Sequence, residues 1–205
     1  MTFNEWLSLL AIAILGAVSP GPSLAVVVRN TLAGSAVSGV LTAWSHALGI
    51  GVYAVLTVLG LAIVLQKNPL VFEVITYAGA IYLIYLGVKA LRSRGSIAAQ
   101  VDAGQVVGYA QPLRQGIMIS LLNPKIGLFF LALFSQFIHP GVGVSGKLLT
   151  IFTPIIVDGS WYTLVALLLS RPNILEILRA KSVWIDRITG VVLILIALRL
   201  VFNFL

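Results

Sequence analysis

The tetrapeptide Ser19-Pro20-Gly21-Pro22 constrains the fold most strongly, because it interrupts an apolar run that extends from Leu7 to Val28. Its two prolines remove two backbone donors, and the glycine between them bends freely. Broken backbone at membrane depth is tolerated only where protein buries it or where it lines a wet cavity. Much later in the chain, Asn123-Pro124-Lys125 interrupts another apolar run in the same way. Two broken helices in corresponding positions of two halves indicate a transporter binding site.

The composition indicates that lipid is the solvent for most side chains. The 205 residues are 60% hydrophobic and 9% charged, with a mean hydropathy of +1.08, which excludes an ordinary soluble domain. The net charge of +7 is spread over connecting segments, and no run is dense enough to bind nucleic acid. The absence of cysteine excludes disulfides, thiol redox chemistry and thiolate metal sites. We therefore predict a multi-pass protein whose partner is the lipid bilayer.

The hydropathy pattern predicts an all-α membrane protein with six transmembrane helices, each of roughly 20 apolar residues. The predicted spans are 6–29, 38–65, 70–91, 115–138, 147–169 and 184–204. A polar linker, 92–114, divides the single domain 1–205 into a first repeat, 1–91, and a second, 115–205. Three spans are an odd number, so the second repeat enters the membrane in the opposite orientation. We expect two inverted three-helix repeats whose broken helices 1 and 4 face each other.

Lysine and arginine in the connections predict the orientation, since cytoplasmic loops carry an excess of both residues. One side of the membrane has nine of them and the other has three. The nine are Arg29, Lys89, Arg92, Arg94, Arg114, Arg171, Arg179, Lys181 and Arg187, and the three are Lys67, Lys147 and Arg199. This bias predicts a cytoplasmic linker and both termini outside. A re-entrant first segment would instead place the N-terminus in the cytoplasm.

Lys125 and Asp158 are the charged residues expected near the middle of the bilayer. Lys125 lies roughly 16 Å deep at 1.5 Å per residue, too far for its stem to reach an interface. Asp158 is near the middle of span 5, and the other acidic residues, Glu5, Glu73, Asp102, Glu176 and Asp186, lie at span ends or in connections. We expect the two to pair. The pair either serves structure alone, or Asp158 also takes up and releases a coupling proton while Lys125 tunes it.

Three further polar residues are candidates for the site. His46 in span 2 is either a proton relay beside Asp158 or a helix-packing hydrogen bonder. Ser19 and Asn123 precede the two breaks and are predicted to cap the half-helices that follow. Those half-helix N-termini would offer free N–H groups to an anion such as a substrate carboxylate. The sequence shows no metal-binding motif and no Gly-x-Ser-x-Gly, and we predict no cofactor, no metal and no enzyme activity.

The sequence resembles the lysine exporter (LysE/RhtB) amino-acid exporter family over nearly its whole length. The resemblance is carried by Ser19-Pro20-Gly21-Pro22, Leu59-Gly60-Leu61, the run from Gly79 to Gly87, Leu122-Asn123-Pro124-Lys125, Phe129-Phe130-Leu131-Ala132 and Ser135-Gln136-Phe137. It implies a proton-driven exporter of amino acids in the bacterial inner membrane. It also implies substrate binding at Pro20, Gly21, Pro22, Asn123, Pro124 and Lys125, with Asp158 as the acidic residue of span 5. One departure is Ala197, where the family often has a glycine.

Several readings of the function remain open at this stage. The predicted site holds one carboxylate, so a second positive charge on a substrate would have no acceptor, which favours neutral amino acids of the threonine, homoserine or leucine type. The alternatives are an exporter of basic amino acids, a transporter of small ions or metabolites, and a membrane redox protein of the same superfamily. The sequence leaves the oligomeric state open between a monomer and a homodimer.

Overall fold

The computed structural model describes residues 1–19, 21–93, 108–134, 137–139, 141–169 and 174–204. In these ranges the chain forms eight α-helices and no strand. They are α1 (Phe3–Val18), α2 (Pro22–Ala33), α3 (Ala36–Lys67), α4 (Pro69–Leu91), α5 (Ala110–Leu122), α6 (Pro124–Phe134), α7 (Val144–Leu169) and α8 (Ile174–Phe204). The prediction of an all-α fold is confirmed for the described part of the chain.

The helices stop and restart at both predicted breaks. α1 ends before Ser19 and α2 begins at Pro22, and the two helices are bent by 58°. α5 ends at Leu122 and α6 begins at Pro124. A proline is well suited to the first position of a helix, because the N–H group that it lacks would have no intrahelical partner there. Each predicted break therefore separates two of the described helices, α1 from α2 and α5 from α6.

Two helix boundaries differ from the predicted spans. α8 begins at Ile174 rather than near residue 184, and α5 begins at Ala110, inside the segment predicted as linker. Hydropathy marks only the apolar part of a helix, whereas Glu, Arg and Lys are good helix formers and extend it into polar surroundings. The middle of the predicted linker, residues 94–107, lies outside the described residues.

The helices that qualify as membrane spans by length and hydropathy support a multi-pass membrane protein. Within the described residues, Ala36–Gly60 of α3 and Val144–Leu169 of α7 are long and apolar enough to cross a bilayer. The bent pair α1 and α2 is a third span if it is counted as one segment. In α4 the apolar stretch Ala80–Leu91 is shorter.

Close helix packing fixes the position of α3 at the centre of the fold. α3 packs against α2, α5 and α7, and α4 packs against α8. Gly116 of α5 permits one of these approaches: a Cβ atom there would overlap the carbonyl oxygen of Thr42 and lie 3.1 Å from the backbone nitrogen of His46. The contact of α5 with α3 thus depends on a missing side chain beside His46, which faces the interior.

Candidate functional site: a cavity between the two broken helices

One cavity brings most of the predicted site residues together. About 700 Å³ of free space lies between its lining atoms and at its open mouth. Its predicted members are Ser19, Gly21, Pro22, His46, Asn123, Lys125 and Asp158. Pro20 lies outside the described residues, and the side chain of Pro124 is likewise not described. The two breaks, far apart in sequence, therefore contribute to one site.

A chain of two short hydrogen bonds crosses the cavity wall from α7 to α2. His46 Nδ1 lies 2.7 Å from Asp158 Oδ2, and His46 Nε2 lies 2.8 Å from Ser23 Oγ. His46 is 1% exposed, Asp158 6% and Ser23 6%. Tyr162 packs its ring edge-on against the imidazole, with ring centroids 5.3 Å apart. The three polar groups form one buried relay that reaches the cavity at both ends.

The prediction that Lys125 and Asp158 form an ion pair is wrong. Lys125 Nζ donates a hydrogen bond to Ser19 Oγ at 2.9 Å, and among the described residues no ion pair within 4.0 Å joins it to Asp158. Position along a span gives the depth of a side chain but not the face of the helix from which it projects. On α7 that face meets α3, so His46 is the group that reaches the carboxylate.

Asn123 caps the second half-helix as predicted. Its Oδ1 accepts a hydrogen bond from the backbone nitrogen of Lys125 at 3.1 Å, in the first turn of α6. On the other side of the break, the Tyr53 hydroxyl of α3 donates to the carbonyl oxygen of Leu121 at 2.7 Å. This carbonyl belongs to the last turn of α5, where the helix itself supplies no donor. Both backbone ends at this break are therefore held by side chains.

The predicted cap at Ser19 is wrong. Ser19 closes α1 instead, since its N–H donates to the carbonyl oxygen of Leu15 at 3.0 Å. The break is longer here, so α2 starts at Pro22 with Gly21 as its N-cap residue, and no side chain caps it. The hydroxyl of Ser19 accepts a hydrogen bond from the ammonium group of Lys125.

The N-terminus of α2 and Lys125 converge on one point of the cavity. A Cβ atom at Gly21 would lie 3.7 Å from Lys125 Nζ. An uncapped helix N-terminus carries free N–H groups and a partial positive charge. Together with an ammonium group, it makes a site that suits a carboxylate.

The rest of the cavity wall is apolar. Its apolar members include Ala13, Ile50, Phe129, Phe130, Phe134 and Leu193. Phe130 stacks on Phe134 with ring centroids 4.3 Å apart. The Phe129 ring lies against α1 at Gly16, where a Cβ atom would be 2.9 Å from it. The polar groups and the aromatic side chains of the lining together suit a small molecule with a charged head and an apolar tail.

Sequence reasoning missed several polar residues of the bundle. Ser23 follows Pro22 directly, and this closeness to the break was its only signal. Tyr53 carries a hydroxyl group within an apolar span, and a hydropathy averaged over the span does not register a single polar atom. Asp186 was placed at a span end, but it is 4% exposed and accepts a hydrogen bond from Ser93 Oγ at 2.5 Å.

No group of three or more His, Asp or Glu side chains is placed to hold a metal ion within the described ranges. In the same ranges a hydroxyl does lie beside a base, because Ser23 Oγ is 2.8 Å from His46 Nε2.

Two broken helices that meet at one cavity are typical of the binding site of a membrane transporter. The model of the LysE type translocator family matches residues 14–203. The chain belongs to the LysE type translocator family, which confirms the resemblance seen in its motifs.

The chain is similar to several bacterial proteins. It is 40% identical over 136 residues to an uncharacterized membrane protein of Pseudomonas aeruginosa, a match that covers 62% of this chain and 61% of that protein. It is 32% identical to the leucine efflux protein of Salmonella typhimurium, over 69% of this chain and 68% of that protein. It is 26% identical to the threonine efflux protein of Escherichia coli K12, over 90% and 91% of the two chains. No solved structure matches the chain at a significant level.

Proposed function

We propose that this protein is a secondary active exporter of neutral amino acids that exchanges its substrate for protons across the bacterial inner membrane. The observation that carries the proposal is the cavity in which the uncapped N-terminus of α2 and Lys125 lie near the relay of Asp158 and His46. The names of the leucine and threonine efflux relatives support amino acids as the substrates.

The proposed architecture is a pair of inverted repeats, the first ending with α4 and the second beginning with α5. Helix packing supports it, because α3 packs against α7 and α4 against α8, each helix beside its counterpart in the other half. A two-fold axis in the membrane plane would produce such pairs, with the substrate site at the repeat interface.

The proposed pose places each part of an amino acid against a matching surface. The carboxylate meets Lys125 and the N-terminus of α2. The ammonium group lies toward Ser23 and Asp158, whose carboxylate offers a negative charge. The side chain extends toward the aromatic wall around Phe130. Because the two charged groups of an amino acid share one carbon atom, their subsites must adjoin, and Gly21 and Ser23 both line the cavity in the first turn of α2.

The charges of the cavity favour neutral over basic side chains. Among the described lining residues Asp158 is the one carboxylate, and one of its oxygens is bonded to His46. A second ammonium or a guanidinium would therefore enter a low-dielectric site without a counter-charge, which is costly. Asp186 is not among the lining residues, and its negative charge is already opposed by Lys125.

The proposed direction of transport follows from competition between a proton and the substrate ammonium at Asp158. A proton on the relay and a substrate ammonium beside it are both positive, so the two bind best one at a time. A carrier that holds either a proton or a substrate exchanges one for the other. Under an inward proton gradient, such a carrier exports the amino acid.

The proposal is tested in cells that are loaded with dipeptides and express the protein. Leucine or threonine should accumulate outside faster than in cells that express Lys125→Met, whereas Lys147→Met, a change outside the cavity lining, should behave as the wild type. Preferential release of lysine would favour the basic-substrate alternative. Equal release by wild type and Lys125→Met would contradict the proposed site.

A second candidate function follows from the order Ser23, His46, Asp158, because the same hydrogen-bonded sequence activates the serine of hydrolases. Purified wild type and Ser23→Ala separate the two functions when they are incubated with p-nitrophenyl acetate. A transporter should show no difference between them. Ester hydrolysis that is lost in Ser23→Ala would establish the second candidate.

A further inference from the structure

We infer that the Ser23 hydroxyl is the positioning group that converts the protonation state of His46 and Asp158 into acceptance or rejection of the substrate ammonium. This inference rests on the proposed function and assigns its coupling step to one atom. Ser23 carries it because its Oγ is bonded to His46 Nε2 at 2.8 Å and the residue lines the cavity.

The hydrogen-bond capacity of the three groups explains how the state is transmitted. Without an extra proton, His46 donates from Nδ1 to the Asp158 carboxylate, and its Nε2 accepts the hydroxyl proton of Ser23. One lone pair of Ser23 Oγ is engaged by the Tyr162 hydroxyl, and the other then remains to accept a proton from the cavity. With an extra proton, Nε2 carries hydrogen and donates to Ser23 Oγ, and the hydroxyl proton turns away from the imidazole.

The reversal matters because an ammonium group has three donors and no acceptor. It binds to Ser23 when the hydroxyl presents lone pairs and is rejected when the hydroxyl presents its proton. Each protonation state of the relay therefore offers the cavity a different partner. The coupling between substrate binding and proton binding is therefore negative, because the unprotonated relay favours the substrate and a bound substrate disfavours the proton. Negative coupling of this kind is what an exchanger requires.

The location of Ser23 in α2 fits this role. Gly21, two residues earlier, lies at the proposed carboxylate subsite beside Lys125. A carboxylate held there would bring the ammonium of the same amino acid to the first turn of α2, where Ser23 lies. His46 itself is 1% exposed and offers the substrate little surface.

The other titratable groups around His46 can be assigned from the helices that pack against α3. From α7 come Asp158 and Tyr162, and from α6 comes Lys125, all three in the cavity lining. In the described parts of the remaining neighbours, Arg29 of α2, Arg114 of α5 and the charged residues of α4 are not among the lining residues. Lys125 bonds to Ser19 and not to the relay, so its charge acts on the substrate carboxylate, whereas the relay sets the charge beside the ammonium.

The test compares two probes, leucine and 4-methylpentanoate, which is leucine without its ammonium group. Their equilibrium binding to the purified full-length protein is measured from about pH 5 to about pH 8, the range in which histidines titrate. The wild type should bind leucine more weakly as the pH falls, and 4-methylpentanoate should not show this loss. If the wild type bound both probes with the same pH dependence, that result alone would overturn the inference.

Two variants of Ser23 complete the test. In Ser23→Ala the ratio of leucine affinities at high and low pH should shrink by roughly tenfold, the effect of one hydrogen bond to a charged group. Ser23→Thr keeps the hydroxyl and should restore the wild-type ratio. A ratio in Ser23→Ala that equals the wild-type ratio would overturn the inference while leaving amino-acid binding intact. Failure of the wild type to bind leucine at any pH would instead overturn the proposed function, and this inference with it.

Discussion

His46 Nδ1 lies 2.7 Å from Asp158 Oδ2, and this contact joins α3 to α7 in the interior of the bundle. Both side chains are almost wholly buried. A buried charge is stable only when it is paired and hydrogen-bonded, and removal of one partner leaves the other exposed to that cost. The gain or loss of a proton at this pair must therefore change the hydrogen bonds of the groups bonded to it, above all that of Ser23.

Asp158→Asn is expected to abolish gradient-driven export, because asparagine cannot carry a proton. Downhill exchange of labelled for unlabelled leucine should persist if the variant folds. The control is Glu73→Gln, which removes a carboxylate of α4 that does not line the cavity. Both activities are measured in proteoliposomes. Gradient-driven export by Asp158→Asn at the wild-type rate would show that Asp158 does not carry the proton.

Lys125→Met is expected to raise the KM for leucine efflux by roughly tenfold to a hundredfold. The reason is the loss of a charge-assisted contact to the substrate carboxylate, a type of bond worth about 1.5–3 kcal/mol. Lys147→Met serves as the control, since Lys147 lies in the first turn of α7 and outside the cavity lining. Efflux kinetics in vesicles check the prediction. An unchanged KM in Lys125→Met would remove Lys125 from the carboxylate site.

Gly116→Ala is expected to destabilise the fold by about 1–3 kcal/mol, the usual cost of an overpacked contact. The new methyl group would overlap the carbonyl oxygen of Thr42 and force α5 away from α3. Thermal unfolding of the purified protein in detergent measures the effect. Gly143→Ala is the control, because no atom lies within 4 Å of a Cβ atom there. Equal melting temperatures would show that the α3–α5 approach is not as close as described.

The bias of lysine and arginine predicts the orientation, and single cysteines can report it because the chain has no native cysteine. Ser35 lies in the connection between α2 and α3, and Gly143 lies just before α7; both are exposed. A membrane-impermeant thiol reagent applied to intact cells should label Gly143→Cys and spare Ser35→Cys. Labelling of Ser35→Cys alone would show that the protein has the opposite orientation.

The breaks and the all-α fold were predictable from sequence because their causes are local. A proline perturbs a helix through its own geometry, as at both breaks, although α7 continues through Pro154. A long apolar run likewise indicates a helix in lipid without reference to other parts of the chain. The cap at Asn123 belongs to the same kind of signal, since an asparagine before a helix start bonds to the first turn.

The partners inside the cavity were not predictable in the same way. Asp158 was matched with Lys125 by depth, yet the face of α7 that carries Asp158 is turned toward α3 and His46. Which faces meet depends on long-range packing, such as the close approach at Gly116, and no local pattern records it. Ser23 was overlooked for the same reason, because its role depends on a histidine in another helix.

The most direct test of proton-coupled export follows the lumen pH of proteoliposomes that are loaded with leucine and diluted into leucine-free buffer of the same pH. An exchanger that binds either leucine or a proton must bring protons in as leucine leaves, so the lumen should acidify with wild-type protein and stay constant with Asp158→Asn. Leucine efflux from wild-type vesicles without any acidification would contradict the account.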